Sequence, residues 1–276
     1  MIKKETYTIS GAKGRLMLAD LTFNDTDSLA PLIIFVHGFK GFKDWGTHNL
    51  VADYFAHRGF RFLKFNFSHN GTTPDQPIDF TDLIAFSENT FTMELDDLGK
   101  VIDFACSGNA IPKAPNVYLM GHSMGGGISI IKAAMDYRVN KLITLASVGS
   151  FSNLWPKEEE QQWRMQGLRY ITNARTGQQM PLKASLLNDL DSNPLLLNIT
   201  EKAAQITQPW LIVHGDADTS VNINQAYLLK EVQPEAELLI IKDADHVFNA
   251  THPYPFTTMP PALLHVCNES VSFLSK

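Results

Sequence analysis

Short apolar runs without polar alternation recur along this chain, separated by segments of helical periodicity. Residues 32–36 (Leu-Ile-Ile-Phe-Val) are the clearest case, and 60–67, 117–120, 142–146, 210–214 and 238–242 repeat the pattern. A strand with one face in water alternates apolar and polar residues. A continuous run implies burial on both faces, as in a parallel sheet. Parallel neighbours need crossover connections, and the stretches 47–58, 90–106, 123–137, 224–230 and 261–274 read as helices. In 90–106, Phe91, Leu95, Leu98, Ile102 and Ala105 form one stripe. Two runs at the start, 6–9 and 15–23, predict an opening antiparallel pair. The expectation is an α/β fold: an eight-stranded, mostly parallel sheet with helices on both faces and right-handed crossovers.

Two stretches break this rhythm. Residues 66–89 are polar and turn-rich, with Gly71, Pro74 and Pro77. Residues 148–208 separate two strand candidates and carry Trp155, Trp163, Tyr170 and the acidic run 158–160. Long irregular connections are commonly functional. The expected organisation is one core built from 1–147 and 209–276, with 148–208 inserted as a small, mainly helical cap. The competing expectation is that the insertion extends the core with ordinary helices.

Composition removes several classes of function. The formal charge is −6, from 23 basic and 29 acidic residues, so nothing draws the chain to nucleic acid. No window of about 20 apolar residues exists, so no membrane span is expected. The basic start, Met-Ile-Lys-Lys, is not followed by an apolar stretch of about 7–15 residues, which makes the cytoplasm the expected compartment. Cys106 and Cys267 form neither a CxxC pair nor a zinc spacing and are expected to be reduced. No metal, dinucleotide or cofactor-lysine motif is present, so neither a metal nor a cofactor is expected.

The most specific segment is Gly121-His122-Ser123-Met124-Gly125, a G-x-S-x-G pattern between an apolar strand and a helix pattern. A serine hydroxyl that attacks a carbonyl must stand clear of the sheet. A sharp strand-to-helix turn achieves this, and it crowds the flanking backbone, which favours glycine there. The helix N-terminus then offers free N–H groups to a developing oxyanion. Ser123 is the expected nucleophile, and its bland alternative is a helix cap. His122 reads as a structural hydrogen bonder turned away from the base.

Serine needs a base that works near neutral pH, and histidine is the usual one. Among nine histidines, His246 follows the last strand candidate, at the edge where such folds gather functional residues. His252 is the reserve. The third member, which holds the imidazole tautomer, is expected at Asp218, in the turn after 210–214. Asp216 is expected to brace that turn, and Asp243 and Asp245 to be solvated. Chain order is then Ser123, Asp218, His246. The run ending in His37-Gly38-Phe39 reaches the same edge. Gly38 would give the backbone an unusual direction, so the backbone N–H groups of Phe39 and Met124 are the expected oxyanion hole.

Taken together, His37-Gly38-Phe39, the Gly121–Gly126 elbow with Ser123 at its centre, the His214-Gly215-Asp216-Ala217-Asp218 turn and Asp245-His246 resemble the α/β-hydrolase superfamily. Within it, the elbow and the insertion resemble the cinnamoyl/feruloyl esterase and monoacylglycerol-lipase-like branch, with dienelactone-hydrolase-like proteins as relatives. The resemblance implies a capped hydrolase fold and cleavage of a small-molecule ester through an acyl-serine. Phe39, Met124, Trp155 and Trp163 could line an acyl or aryl pocket, the two tryptophans being the substrate contacts expected in the insertion. Two other readings share these residues. One keeps the triad and cleaves a peptide, thioester, lactone or carbon–carbon bond. The other is a non-catalytic small-molecule-binding protein on a hydrolase scaffold.

Overall fold

A computed structural model describes residues 1–26 and 29–276. The antiparallel opening pair is β1 (Ile2–Ser10) and β2 (Leu16–Asn24). There follow β3 (Leu32–Val36), α1 (His48–Ala56), β4 (Arg61–Phe65), α2 (Leu83–Glu88), α3 (Phe91–Ser107), β5 (Val117–His122), α4 (Met124–Met135) and β6 (Val139–Leu145). The insertion holds α5 (Glu160–Gln166), the hairpin β7 (Leu168–Thr172) and β8 (Gln179–Lys183), α6 (Ser185–Ser192) and α7 (Ile199–Ala203). The chain then returns through β9 (Trp210–Gly215), α8 (Asn224–Val232), β10 (Glu237–Ile241) and α9 (Pro261–Ser275).

Eight strands form one sheet in the order β1-β2-β4-β3-β5-β6-β9-β10. The pairs from β4 to β10 are parallel, and β2 joins β4 antiparallel. The apolar runs are buried on both faces as expected. In β3, Leu32, Ile34 and Val36 enter one core cluster, and Ile33 and Phe35 enter the other. Leu32, Ile33, Ile34 and Val36 are wholly inaccessible, and each such burial stabilises by about 1.5–3 kcal/mol. Against one face pack α3 and α4; α1 and α9 cover the other, as Leu98, Ile128, Phe55 and Phe273 show.

Two elements differ from the sequence expectation. Within 66–89, Asp82 caps α2 by accepting from Ala85 N–H at 2.9 Å, a short helix hidden by the polar, turn-rich residues around it. The insertion has helices, but also the β7–β8 hairpin, whose strands are five residues each and partly exposed, too short for their alternation to stand out. Its apolar residues do not form a separate core. Phe151 stacks on Phe91 of α3 with ring centroids 4.0 Å apart, and Trp155, Trp163, Met180 and Leu187 belong to the cluster that covers the sheet.

Candidate active site

Ser123 sits between β5 and α4 at φ 57°, ψ −121°. This is a left-handed conformation that non-glycine residues rarely adopt, and it costs of order 1–3 kcal/mol. The surroundings hold it there. Ser123 N–H donates to Leu145 O at 2.9 Å, and its carbonyl accepts from Gly126 N–H at 3.0 Å. The flanking glycines answer to close approach. A Cβ on Gly121 would lie 2.4 Å from Gly125 O, and one on Gly125 would lie 2.4 Å from Val36 O and His37 O. The strand, turn and helix therefore press on each other at the end of β3, and the hydroxyl-bearing residue faces a cavity of about 470 Å³.

His246 and Asp218 reach the same rim from the turns after β10 and β9. The two turns are tied together: Asp216 N–H donates to Ile241 O and Ala217 N–H to Ala244 O, both at 3.1 Å. Asp216 Oδ1 accepts from Asp243 N–H at 2.6 Å, which is the bracing role expected for it. Within this frame His246 Nδ1 donates to Asp218 Oδ2 at 2.8 Å. The other carboxylate oxygen accepts from Ser220 N–H and Val221 N–H at 2.8 and 2.9 Å. His214, wholly buried, lies 3.2 Å from Asp218 Oδ2 through Nε2. Burial opposes ionisation of Asp218, but the hydrogen bonds from His214 and His246 outweigh it and hold the carboxyl well below the usual range. An ionised carboxylate accepts only, so the proton of the His246 imidazole stays on Nδ1 and leaves Nε2 basic. His246 and Ser123 both line the cavity. Among the described residues, no hydrogen bond joins the Ser123 hydroxyl to the imidazole.

Phe39 N–H and Met124 N–H have no hydrogen-bond acceptor among the described residues. Their direction is set by neighbours. Gly38 O accepts from His37 Nδ1 and from Gly41 N–H, each at 2.9 Å. In a planar trans peptide the N–H points opposite the carbonyl, so this double anchor turns Phe39 N–H the other way. Burial lowers the His37 imidazole to about 4, so it stays neutral, with Nε2 accepting from Phe67 N–H at 3.4 Å. Gly38 differs from expectation. Its φ is not positive, and its need for glycine is steric, since a Cβ would sit 2.9 Å from Ser123 Cβ. The positive φ, 55°, falls on Lys40. A buried ionic network fixes the rest of this loop: Lys43 and Lys64 both reach Asp20 and Asp44, with Lys64 Nζ 3.0 Å from Asp20.

Three other expectations change. His122 does serve as a structural hydrogen bonder, donating from Nε2 to His246 O at 2.9 Å. It does not face away from His246, however; the two rings lie 4.8 Å apart. Burial lowers the His122 imidazole to about 3, so it supports the His246 loop as a neutral donor. His252, the reserve base, is committed elsewhere, accepting Gly46 N–H at 2.8 Å. Trp155 and Trp163 are not substrate contacts in this arrangement. They are 7% and 1% exposed, pack edge to face at 5.4 Å and do not line the cavity. Their indole N–H groups are spent on Glu160 and on Leu182 O. The tryptophans are drawn instead into the core that the insertion shares with the sheet, where their area is best buried.

The insertion's wall of the cavity is formed instead by Asn173, Ala174 and Arg175, from the β7–β8 turn. Lys40, Phe42, Trp45 and Phe80 also line it. Sequence reasoning missed these residues because no spacing ties a turn to a strand end 130 positions away; the Lys40 Nζ–Thr172 O contact at 3.5 Å, |i−j| = 132, is of that kind. No group of His, Cys, Asp and Glu suited to a metal ion occurs among the described residues, and no helix is long and apolar enough to cross a membrane.

Comparison with known proteins follows the same lines. The alpha/beta hydrolase fold family matches residues 31–176, more than half of the 276-residue chain. The curated "Putative esterase/lipase 2" of Mycoplasma genitalium is 29% identical over 122 residues, which are 44% of this chain and only 39% of that protein's length. Among solved structures, Est1E of Butyrivibrio proteoclasticus with bound ferulic acid has a TM-score of 0.73 at 20% identity, covering 98% of each chain. The Pyrococcus furiosus esterase Pf2001 has a TM-score of 0.65 at 15% identity, covering 99% of this chain and 92% of its own. At these identities the two structures establish a shared fold. The chain belongs to the alpha/beta hydrolase fold family.

Proposed function

We propose that this protein is a serine hydrolase that cleaves small-molecule carboxylic esters through an acyl-serine intermediate. The observation that carries this reading is the His246 Nδ1–Asp218 Oδ2 hydrogen bond of 2.8 Å, made on the same cavity that a strained Ser123 faces. The esterase names of the Mycoplasma relative and of the Pyrococcus neighbour support the bond type.

In this reading Ser123 Oγ attacks the ester carbonyl carbon while His246 Nε2 takes the hydroxyl proton. Asp218 keeps the imidazole oriented and stabilises its cationic form. Negative charge collects on the former carbonyl oxygen, where the N–H groups of Phe39 and Met124 receive it; each such donor is worth about 2.7–4 kcal/mol in the transition state. The intermediate collapses, the alkoxide leaves with the proton from His246, and an acyl-Ser123 remains. Water then attacks that ester with His246 as base and releases the acid. Residues 1–147 and 209–276 act as the hydrolase core and 148–208 as the cap, which meets the substrate through the hairpin turn. The two unpaired thiols, Cys106 and Cys267, accord with a cytoplasmic setting.

The test is turnover of p-nitrophenyl acetate and butyrate by the native enzyme and by Ser123→Ala. The native enzyme should turn over and the variant should fall by about 10⁴-fold or more. Full turnover by the variant would refute the nucleophile.

A further inference from the structure

The chain is acidic overall, with 29 acidic against 23 basic residues, but the cavity in front of Ser123 has the opposite bias. Lys40 and Arg175 line it, and no aspartate or glutamate does, among the described residues. Lys40 follows the expected oxyanion residue directly. Its ammonium is half-buried and touches only Thr172 O, at 3.5 Å, with no carboxylate within ion-pair distance among the described residues. Burial lowers the pKa of that ammonium, a sign of a charge that lacks compensation. Arg175 has one acidic neighbour, Asp79, at 3.6 Å, and that carboxylate is half exposed to water. Such a pair is worth little. The guanidinium also donates to Ile78 O at 3.4 Å and lies 5.9 Å from the centroid of the Phe42 ring.

A third group makes the wall specific. Asn173 is 7% exposed, and its Oδ1 accepts Arg175 N–H at 3.1 Å. That bond fixes the orientation of the amide, so Nδ2 is the group left over. Nδ2 is buried and has no acceptor, in a residue that lines the cavity. A buried donor without a partner is costly, and an acceptor oxygen on a ligand would relieve that cost. Phe39, Phe42, Trp45 and Phe80 supply apolar surface beside these donors.

We infer that the cavity selects esters that carry a carboxylate, bound by Lys40, Arg175 and the Asn173 amide, with an apolar stem along the phenylalanines. One uncompensated ammonium, one free amide donor and one weakly engaged guanidinium match a single negative charge with two acceptor oxygens. This names the substrate class of the site proposed above and rests on that reading.

Two substrate pairs test it. The first is the p-nitrophenyl half-ester of adipic acid against its neutral isostere, in which an isopropyl group replaces the carboxylate. The second is m-carboxyphenyl butyrate against m-isopropylphenyl butyrate, which moves the charge to the alcohol portion. In at least one pair the anionic member should be favoured by about 10-fold or more in kcat/KM at low salt, mainly through KM, and the preference should shrink as salt rises. Arg175→Gln and Lys40→Gln should each cut the preference by about 10-fold, and Asn173→Asp should reverse it. Calorimetry on Ser123→Ala reads the same preference as binding, without turnover. Equal or weaker handling of the anionic member in both pairs, in kinetics and in calorimetry, would overturn the inference. Hydrolysis of the neutral esters by Ser123 with no charge preference would sink this proposal alone. Absence of any Ser123-dependent turnover, with the binding preference intact, would sink the esterase reading alone.

Discussion

On the sheet side of the cavity, polar groups are paired almost everywhere. Asp218 accepts from His246, Ser220 and Val221, Gly38 O accepts twice, and His122 is tied to His246 O. The groups left free there, among the described residues, include the backbone N–H of Phe39 and of Met124. On the hairpin side the balance is reversed: Asn173 Nδ2 has no partner, Lys40 has a single long contact, and Arg175 a weak one. The first wall has its geometry settled before any ligand arrives, as the positioning of reacting groups requires. The second holds unspent donors, as recognition of a variable group requires. The core carries the first wall, and the insertion, joined by Lys40 from the loop after β3, supplies the second.

The contrast can be broken in steps. Asp218→Asn should have the largest effect. It keeps the shape of the turn but removes the acceptor that holds the proton on His246 Nδ1, and kcat for p-nitrophenyl butyrate should drop by about 10⁴-fold. A drop smaller than 10-fold would mean that the sheet-side wall does not act through this pair. Trp163→Ala should act on stability instead. Its ring is 1% exposed within the shared core, so chemical denaturation should show a loss of about 3–5 kcal/mol, with kcat changed by less than about two-fold under conditions where the variant is folded. A large fall in kcat with little loss of stability would restore the tryptophan to the substrate pocket.

Gly38→Ala comes next. The added methyl would lie 2.9 Å from Ser123 Cβ and 3.2 Å from His122 O, which displaces either the loop or the nucleophile. A shift near 1 Å costs about 10²-fold in kcat, and circular dichroism should show an intact fold. The smallest effect concerns the support beneath the insertion. Glu94, in the first turn of α3, is fully buried, and burial raises its carboxyl to about 8. The folded state therefore holds a proton that the unfolded chain releases at lower pH. The stability contributed by neutral Glu94 is complete below the usual carboxylate range and is lost as pH rises toward and through about 8. Glu94→Gln keeps an oxygen for the Asn89 amide, now bonded to Oε1 at 2.7 Å, and should flatten the fall in melting temperature across that window. An unchanged slope would place the titration elsewhere.

How far these features were legible in the sequence depends on the range of the interaction that creates them. The sheet could be read because β3, β5 and β9 are short strands buried on both faces, and continuous apolar runs declare that locally. The elbow was legible because its constraint, glycines around a serine at a strand-to-helix turn, lies within five residues. Asp218 and His246 could be placed by strand order, since each stands in the turn after a recognisable strand. The hairpin wall could not. β7 and β8 are five residues each and partly exposed, and the alternation of buried Met180 and Leu182 in β8 is too short to stand out in the sequence. The meeting of Lys40 with the hairpin, and of Asp20 with Lys43 and Lys64, is decided by packing over long separations. The tryptophans misled for a related reason. Their size marks them for burial, and the sequence does not say whether a ligand or the protein itself will cover them.

The central claim is that Ser123 becomes covalently acylated. The most direct measurement is rapid mixing of the enzyme with excess p-nitrophenyl butyrate, an acid quench within the first turnovers and peptide mass mapping. A butyryl adduct on the peptide that contains Ser123, formed with the first burst of p-nitrophenol and absent from Ser123→Ala, is the predicted result. Sustained release of p-nitrophenol with the adduct on another residue, or undiminished release by Ser123→Ala, would contradict the account.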